Sequence, residues 1–283
     1  MNGAPPDQLR IIRQRIDALD ETVHRSLIER AGIIAELIRV KGTSAPGAAF
    51  RPDREADMMR RLVLRHESDL PLVTVEHIWR EIISTFTAMQ APYGVATAPA
   101  ADPLAMRDLV RFYFGFFVSV HACDSAADAI ALVEGEGRDL ALVPLETEGR
   151  WWRSLTAPDG PGVFARLPFI EEEGRPASLP AYVVGPPLKD AAPADVQLLA
   201  TAARDGLHAA ISSLGGRVIG EAEGETLFEL QVSATLDDLA RELGAPLGDV
   251  LAIGQFAQPI RVVVDRTPEL SSATPDSVAS ASS

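Results

Sequence analysis

Apolar residues near the start of the chain recur in steps of three and four positions, the spacing of an amphipathic helix. Asp7 is a candidate N-cap, and Gly42, Pro46 and Gly47 end the pattern. The predicted helix has about 34 residues and a length of roughly 50 Å. A helix this long needs a partner chain or helices folded along it. Its apolar stripe consists of Leu9, Ile12, Ile16, Leu19, Val23, Leu27, Ala31, Ile34 and Leu37.

Two shorter helices are predicted to follow. The first opens at Arg51-Pro52, with the proline near its first position, and its apolar side holds Met58, Met59, Leu62 and Val63. The second follows a turn at Ser68 to Pro71, with Thr74 as its N-cap and a stripe made of Ile78, Ile82, Phe86 and Met89. Residues 1–92 are therefore predicted to form an all-α domain of three helices.

Residues 93–104 are rich in Ala and Pro, which is typical of a linker. We therefore predict a domain boundary here and expect the helical segment to fold and act without the rest of the chain. In residues 105–190 the pattern predicts an α/β region. Its predicted elements are a strand at 114–120, a helix at 126–133, a strand at 140–143 and further strands at 163–170 and 182–184.

Residues 191–262 are predicted to alternate in the order βαββαβ, which is the ferredoxin-like arrangement. The strands are predicted at 196–201, 217–221, 226–232 and 250–256, and the helices at 207–214 and 236–243. Residues 267–283 are Ser/Ala-rich and are predicted to be a disordered tail. The fold class is thus a multidomain chain with an all-α start and an α/β or α+β remainder.

Charge is distributed unevenly between these parts. The net charge is −14, yet residues 1–90 hold 13 basic and 13 acidic residues, so the acidic excess lies in the remainder. This balance argues against nucleic acid as a partner and suits the first segment to a small anion. One cysteine and five scattered histidines indicate neither a disulfide framework nor a metal site. The start lacks a signal-peptide pattern and no membrane-length apolar run follows, so the expected location is cytoplasmic.

Several charged residues of the helical segment resemble a known motif. The string Arg13-Gln14-Arg15-Ile16-Asp17-Ala18-Leu19-Asp20 is followed by Glu29-Arg30, Lys41-Gly42, Arg51-Pro52-Asp53-Arg54-Glu55 and finally Gln90. The spacing and residue types resemble the all-helical chorismate mutase family over the whole segment. The resemblance implies an isomerase that converts chorismate to prephenate in phenylalanine and tyrosine biosynthesis. Chorismate is a dianion, and its rearrangement is unimolecular, so no cofactor is expected.

The resemblance also implies a role for each matching residue. Arg30 and Arg54 would hold the substrate carboxylates with help from Arg13, since guanidinium groups bind carboxylates bidentately. Lys41 and Gln90 would donate to the ether oxygen, and Glu55 would bind the ring hydroxyl. Two positions depart from the pattern: Arg51 stands where many relatives have a carboxylate, and Phe86 where a small hydroxyl residue is common.

Helix geometry tests this assignment independently. Arg30 and Lys41 are 11 residues apart, which puts them within about 20° of one face and roughly 16 Å apart, so their side chains can bracket a small dianion. Arg13 lies 17 residues before Arg30, about 26 Å along the axis, so one chain cannot bring both to the same small molecule. The family resemblance implies an intertwined homodimer, in which Arg13 acts in the partner's site.

The remainder of the chain resembles two further modules more faintly. Residues 126–133 and 139–146 are similar to the start of a prephenate dehydratase domain, but its Pro-x-Glu-Asn-Ser loop is replaced by Pro144-Leu145-Glu146-Thr147-Glu148 and its Thr-Arg-Phe motif is missing. Dehydration of prephenate is therefore not expected. Residues 196–260 follow the order of an ACT regulatory module. Two alternatives stay open: an isochorismate pyruvate-lyase on the same helical scaffold, and a non-catalytic regulatory subunit that binds an aromatic amino acid.

Overall fold

The computed structural model describes residues 6–41, 50–136, 140–157, 159–187 and 194–263. Helix α1, Pro6–Lys41, is a single helix of 36 residues, so the long first helix is confirmed. The signals predicted to end it, at Gly42, Pro46 and Gly47, lie outside the described residues, as does the predicted tail at 267–283. Of the described α1 side chains none is buried, and the apolar stripe of the N-terminal half is open, with Leu19 65% and Val23 60% exposed.

The two shorter helices are also confirmed. Helix α2 is Pro52–Arg65 and helix α3 is Leu72–Gln90. Pro52 is at the start of α2, where its missing N–H removes no helical hydrogen bond. Helix α3 begins two residues before the predicted N-cap Thr74, and Pro71 occupies the N-cap position instead. None of the described helices is long and apolar enough to cross a membrane.

The predicted linker at 93–104 is wrong in its first half. Gly94–Thr97 is strand β1, which is completely buried and pairs in parallel with β2, Ser119–Ala122, and β3, Leu140–Pro144. A buried parallel strand has no alternation of polar and apolar residues, so four small residues between prolines gave no strand signal. Asp102 then caps helix α4, Pro103–Phe114, by accepting hydrogen bonds from the backbone N–H groups of Leu104 and Ala105.

The strand predicted at 114–120 is mostly wrong as well. Phe114 is the last residue of α4, and Gly115 ends the helix with φ +71°, a left-handed conformation that suits glycine. Arg111 closes the following loop by donating from Nη1 to the carbonyl oxygens of Gly115 and Val118, at 3.0 and 3.2 Å. An apolar run of this length fits a helix end as well as a strand, and the pattern alone could not separate them.

A single sheet of nine strands runs through both predicted C-terminal regions. Its order is β2-β1-β3-β6-β4-β10-β7-β9-β8. The boundary predicted at residue 190 does not divide this sheet, because β10 pairs with β4. The remaining strands are β4 Gly162–Leu167, β6 Ala181–Gly185, β7 Val196–Ala202, β8 Arg217–Ala222, β9 Glu225–Gln231 and β10 Val250–Phe256. The added helices are α5 Ala126–Glu136, α6 Leu207–Ser213 and α7 Leu236–Leu243.

The predicted element order of the last region is confirmed. Its six elements, β7, α6, β8, β9, α7 and β10, all occur within a few residues of their predicted bounds. The four strands lie in the order β10-β7-β9-β8, and every neighbouring pair is antiparallel. Thr235 caps α7, and its side chain and that of Asp238 bond reciprocally to each other's backbone N–H. This reciprocal cap fixes the start of α7 one residue after Thr235.

Helices α2 and α3 pack directly against the α/β region. Strand β5, Ile170–Glu172, pairs with β11, Ile260–Val262, in a small second sheet. The apolar side of α2, with Ala56 and Met59, is buried against Phe169 and Ile170. Arg60 of α2 also forms an ion pair with Asp195. Two of the three helices of the predicted first domain thus have their packing partner in the second.

Candidate active site

The C-terminal half of α1 meets α2 and α3 around Arg30. The Arg30 guanidinium lies over the ring of Phe86 on α3, with its carbon 4.3 Å from the ring centre. Burial lowers the pKa of Arg30, and the positive charge of Arg54 on α2 lowers it further. The structure therefore brings together two of the predicted carboxylate-binding residues.

This pair of cations is suited to binding an anion. The Nη1 atom of Arg30 is buried and has no hydrogen-bond partner among the described residues. Arg54, in the first turn of α2, is exposed. Burying a guanidinium nitrogen without an acceptor is unfavourable. A carboxylate bound between Arg30 and Arg54 would satisfy that nitrogen and neutralise the repulsion of the two charges.

Phe86 has a clear structural role at this junction. Its aromatic ring packs against the Arg30 guanidinium. A cation over an aromatic face is stabilised by about 0.5–2 kcal/mol, depending on its exposure. Phe86 thus offers an aromatic surface to one of the predicted carboxylate-binding residues. Arg51, the second departure, is half-buried, and its Nη1 donates to the carbonyl oxygen of Phe50.

Glu55, the predicted ligand of the ring hydroxyl, faces α3. Its Oε2 accepts a hydrogen bond of 3.2 Å from Nη1 of Arg80. Burial raises the pKa of Glu55, the charge of Arg80 opposes that rise and the nearby Asp53 adds to it. Tyr93 lies close enough for the charge of Glu55 to raise its pKa, after the larger effect of burial. One carboxylate oxygen is therefore engaged by Arg80, and the other can serve a ligand.

The predicted donors to the ether oxygen are less completely defined. Gln90 is the last residue of α3, and its side-chain amide donates to the carbonyl oxygen of Phe86 at 3.0 Å. Lys41 is the last residue of α1, so its backbone position follows the predicted helix, while its side chain lies outside the described atoms.

Arg13 is remote from the other five residues. It is exposed on the N-terminal half of α1, and the unbroken helix keeps it about 26 Å from Arg30 along the axis. The structure thus groups Arg30 with Arg54 and keeps Arg13 of the same chain apart from them.

A buried ionic cluster beside Glu55 was missed by the sequence reasoning. Arg80 lies between Glu55 on α2 and Glu76 on its own helix, α3. Arg175 of the α/β region contacts Glu76 from the other side. Glu76 is fully buried, and Arg80 and Arg175 are 6% exposed. Glu76 and Arg80 are four residues apart, a spacing that signals a helical ion pair. Nothing in the sequence indicated that Arg175, 99 residues further on, would join them.

Comparison with known proteins connects the chain with bifunctional enzymes. The bifunctional chorismate mutase/prephenate dehydratase of Neisseria gonorrhoeae is 30% identical over 145 residues, 50% of this chain and 39% of that protein. The protein of the same description from Stutzerimonas stutzeri is 36% identical over 149 residues, 50% of this chain and 40% of that one. The matched part of the chain thus spans about two fifths of the length of these relatives.

Solved structures and a family model complete the comparison. A prephenate dehydratase from Arthrobacter aurescens in complex with L-Phe has a TM-score of 0.37 at 11% identity, covering 59% of this chain and 90% of that chain. The family model described as chorismate mutase type II matches residues 12–91. These residues include all six predicted site residues. Residues 12–91 therefore belong to the chorismate mutase type II family.

Proposed function

We propose that this chain is a chorismate mutase that rearranges chorismate to prephenate in aromatic amino-acid biosynthesis. The observation that carries the proposal is the junction of Arg30 and Arg54 within a segment of the type II mutase family. Two adjacent guanidinium groups, one with a buried nitrogen that has no acceptor among the described residues, suit a dicarboxylate substrate.

The reaction needs little chemistry from the protein. The ether bond of chorismate breaks as a carbon–carbon bond forms within the same molecule, so no nucleophile or added electrons are needed. The protein confines the enolpyruvyl arm in a reactive conformer and stabilises the negative charge that develops on the ether oxygen. Confinement is the task proposed for Arg30 and Arg54. Stabilisation of the ether oxygen is the task proposed for Lys41 and Gln90, at the C-terminal ends of α1 and α3.

Glu55 is proposed to accept a hydrogen bond from the ring hydroxyl of the substrate. It lies next to Arg54 at the start of α2, and Arg80 occupies only one of its oxygens in the described contacts. An ionised carboxylate is the strongest acceptor among side chains for a hydroxyl donor. The Glu55–Arg80 contact supports this role by favouring the ionised form.

We further propose that two chains associate through α1 to complete each site. The exposed apolar stripe on the N-terminal half of α1 consists of Ile12, Ile16, Leu19 and Val23. A continuous apolar patch of this kind is typical of a surface that binds another protein chain. An antiparallel partner helix would cover this stripe. It would also carry its own Arg13 to the Arg30–Arg54 pair, which one chain cannot do.

For the last region we propose a ferredoxin-like unit of the ACT type. The antiparallel strand order β10-β7-β9-β8 supports it, since a βαββαβ chain folds into that order when both helices pack on one face. Such a unit suits a regulatory role beside the mutase. The charged residues at the Arg30–Arg54 junction argue against the purely regulatory alternative, because dimerisation alone needs none of them, while the lyase alternative would use the same cationic site.

A continuous assay of chorismate loss tests the function, with the product identified by acid conversion to phenylpyruvate. We expect Arg54→Gln to lower kcat/KM by about 100-fold or more, as for loss of a charged group aimed at the reacting molecule. Arg61 is the matched control, since it is also exposed on α2 but pairs with Asp57 at 2.7 Å. Arg61→Gln should keep full activity. Release of pyruvate instead of prephenate would replace the mutase proposal with the lyase alternative.

A further inference from the structure

Arg80 is shared between two carboxylates. Its Nη1 donates to Glu55 at 3.2 Å, while its Nε lies 3.9 Å from Oε1 of Glu76. The contact with the proposed site residue Glu55 is therefore the tighter of the two. The ring of Tyr113 lies below the guanidinium, 5.0 Å from its carbon, and fixes its plane.

Glu76 lies closer to two residues of the α/β region than to Arg80. Nη1 of Arg175 lies 3.1 Å from Oε2 of Glu76, and the hydroxyl of Tyr113 donates to Oε1 at 3.0 Å. Tyr113 in turn accepts a hydrogen bond of 3.1 Å from the backbone N–H of Phe169. Arg175 is anchored by donating to the carbonyl oxygen of Ile170. Both residues that compete with Arg80 for Glu76 thus belong to the α/β region.

We propose that Arg175 positions Glu55 through Glu76 and Arg80, so that the α/β region is a working part of the mutase site. By occupying Glu76, Arg175 leaves the Arg80 guanidinium free to hold Glu55. Arg80, Glu76 and Arg175 are positioning residues in this scheme, because each of them acts through Glu55. The inference rests on the proposed function of Glu55 as the ligand of the ring hydroxyl.

The scheme makes the ionisation of Glu55 depend on remote residues. The charged and titratable groups that act on Glu55 or share its cavity are Asp53 on its own helix, Arg80 on α3, Tyr93 before β1, Tyr113 on α4 and Arg166 on β4. Of these, Arg80 favours the ionised carboxylate, which is the form that accepts a hydrogen bond. Any change that draws Arg80 toward Glu76 raises the pKa of Glu55, and any change that releases Arg80 from Glu76 lowers it.

Two substitutions separate this competition from a general loss of stability. In Arg175→Gln, Glu76 loses the closer of its two cations and attracts Arg80 away from Glu55. The acid limb of the kcat/KM profile should therefore move to higher pH. In Glu76→Gln, Arg80 has Glu55 as its remaining carboxylate, so the acid limb should move to lower pH. For Glu76→Gln the shift should be on the order of one pH unit, and for Arg175→Gln smaller. Arg175→Lys keeps the charge and should restore most of the unaltered profile.

The chain contains a matched control in the α/β region. Glu229 also accepts a hydrogen bond from a buried tyrosine, Tyr182, at 2.6 Å, and it also lies between two arginines, Arg166 and Arg217. We expect Glu229→Gln and Glu76→Gln to lower the melting temperature by similar amounts, because each removes a buried carboxylate from its arginine partners. The pH profile of Glu229→Gln for chorismate should match that of the unaltered chain, because none of the described hydrogen bonds and ion pairs of Glu229 involves Glu55 or Arg80.

A direct titration keeps this inference distinct from the proposed function. The carboxyl carbons of glutamate are labelled with ¹³C in the full chain, and the Glu55 signal is identified by its loss in Glu55→Gln. Opposite shifts of its midpoint in Arg175→Gln and Glu76→Gln support the inference even if chorismate is not consumed. Shifts of the same sign, or no shift in either variant, would overturn it. If Arg175→Gln does not fold, the near-isosteric Glu76→Gln decides by the sign of its shift.

Discussion

Helices α1 and α3 come from the same predicted bundle but meet different surroundings. No described side chain of α1 is buried, whereas α3 buries Glu76, Arg80, Ser84, Phe86 and Thr87. The partner of α3 is α4 with Arg175, later in the same chain, while a second chain is the partner that we propose for the open stripe of α1. In this proposal one helix of the mutase segment depends on association and the other on the α/β region.

The largest effect should come from removing the partner of α3. A fragment that ends at Pro92 would expose Glu76 and Arg80 without Tyr113 and Arg175. The fragment would also uncover the apolar side of α2, where Met59 is fully buried against Phe169 and Ile170, and burying one such side chain contributes about 1.5–3 kcal/mol to a total stability of roughly 5–15 kcal/mol for a domain. We therefore expect the fragment to lose cooperative folding, contrary to the independence that the predicted linker indicated.

Circular dichroism during thermal unfolding and the chorismate assay check this fragment against the full chain. A fragment that melts cooperatively and keeps full activity would contradict the dependence of α3 on the α/β region. It would mean that α3 finds another cover in the dimer and that the α/β region does not contribute to the site.

A smaller effect should follow from a charge on the open stripe of α1. Val23→Asp places a carboxylate where the partner helix would lie, and we expect the dimer Kd to rise by more than about 100-fold, equivalent to roughly 3 kcal/mol. Leu64→Asp is the control, since Leu64 is exposed on α2 away from the stripe. Sedimentation velocity over a range of concentrations measures both. An unchanged association of the Val23→Asp protein would show that the stripe is not the dimer surface.

The smallest effect concerns the stability contributed by Glu55. Burial raises the pKa of Glu55 above its unfolded value, so the folded state binds more protons than the unfolded state between the two pKa values. The contribution of Glu55 to stability therefore falls as pH rises through that window. The Glu55→Gln variant has no titrating group at this position. Its free energy of unfolding should therefore rise relative to that of the unaltered chain across the window, and the difference should be constant above it.

Urea unfolding at a series of pH values gives this difference for Glu55→Gln, and Glu81→Gln serves as a second carboxylate of the helical segment for comparison. A difference that shrinks with rising pH would mean that Arg80 outweighs the burial of Glu55. The site would then hold a carboxylate that is stabilised in its charged form.

The periodic parts of the sequence predicted the structure well, for a physical reason. The three-and-four spacing of α1 is a local signal, and the helix occurs where predicted. Strand β1 is four small buried residues and gives no alternation, so it was taken for a linker. Arg30 and Arg54 were found through their spacing in a family pattern. Arg175 was not, because its role arises from a contact between distant parts of the chain.

The complementation of two inactive chains tests the account most directly. Arg13→Ala and Arg54→Ala, each nearly inactive alone, are unfolded together, refolded and assayed for chorismate loss. If Arg13 acts in the partner's site, half of the randomly paired dimers are mixed, and each mixed dimer has one intact site. About a quarter of the unaltered activity should then return. No recovery in a mixture that has refolded into dimers would contradict a site shared between chains.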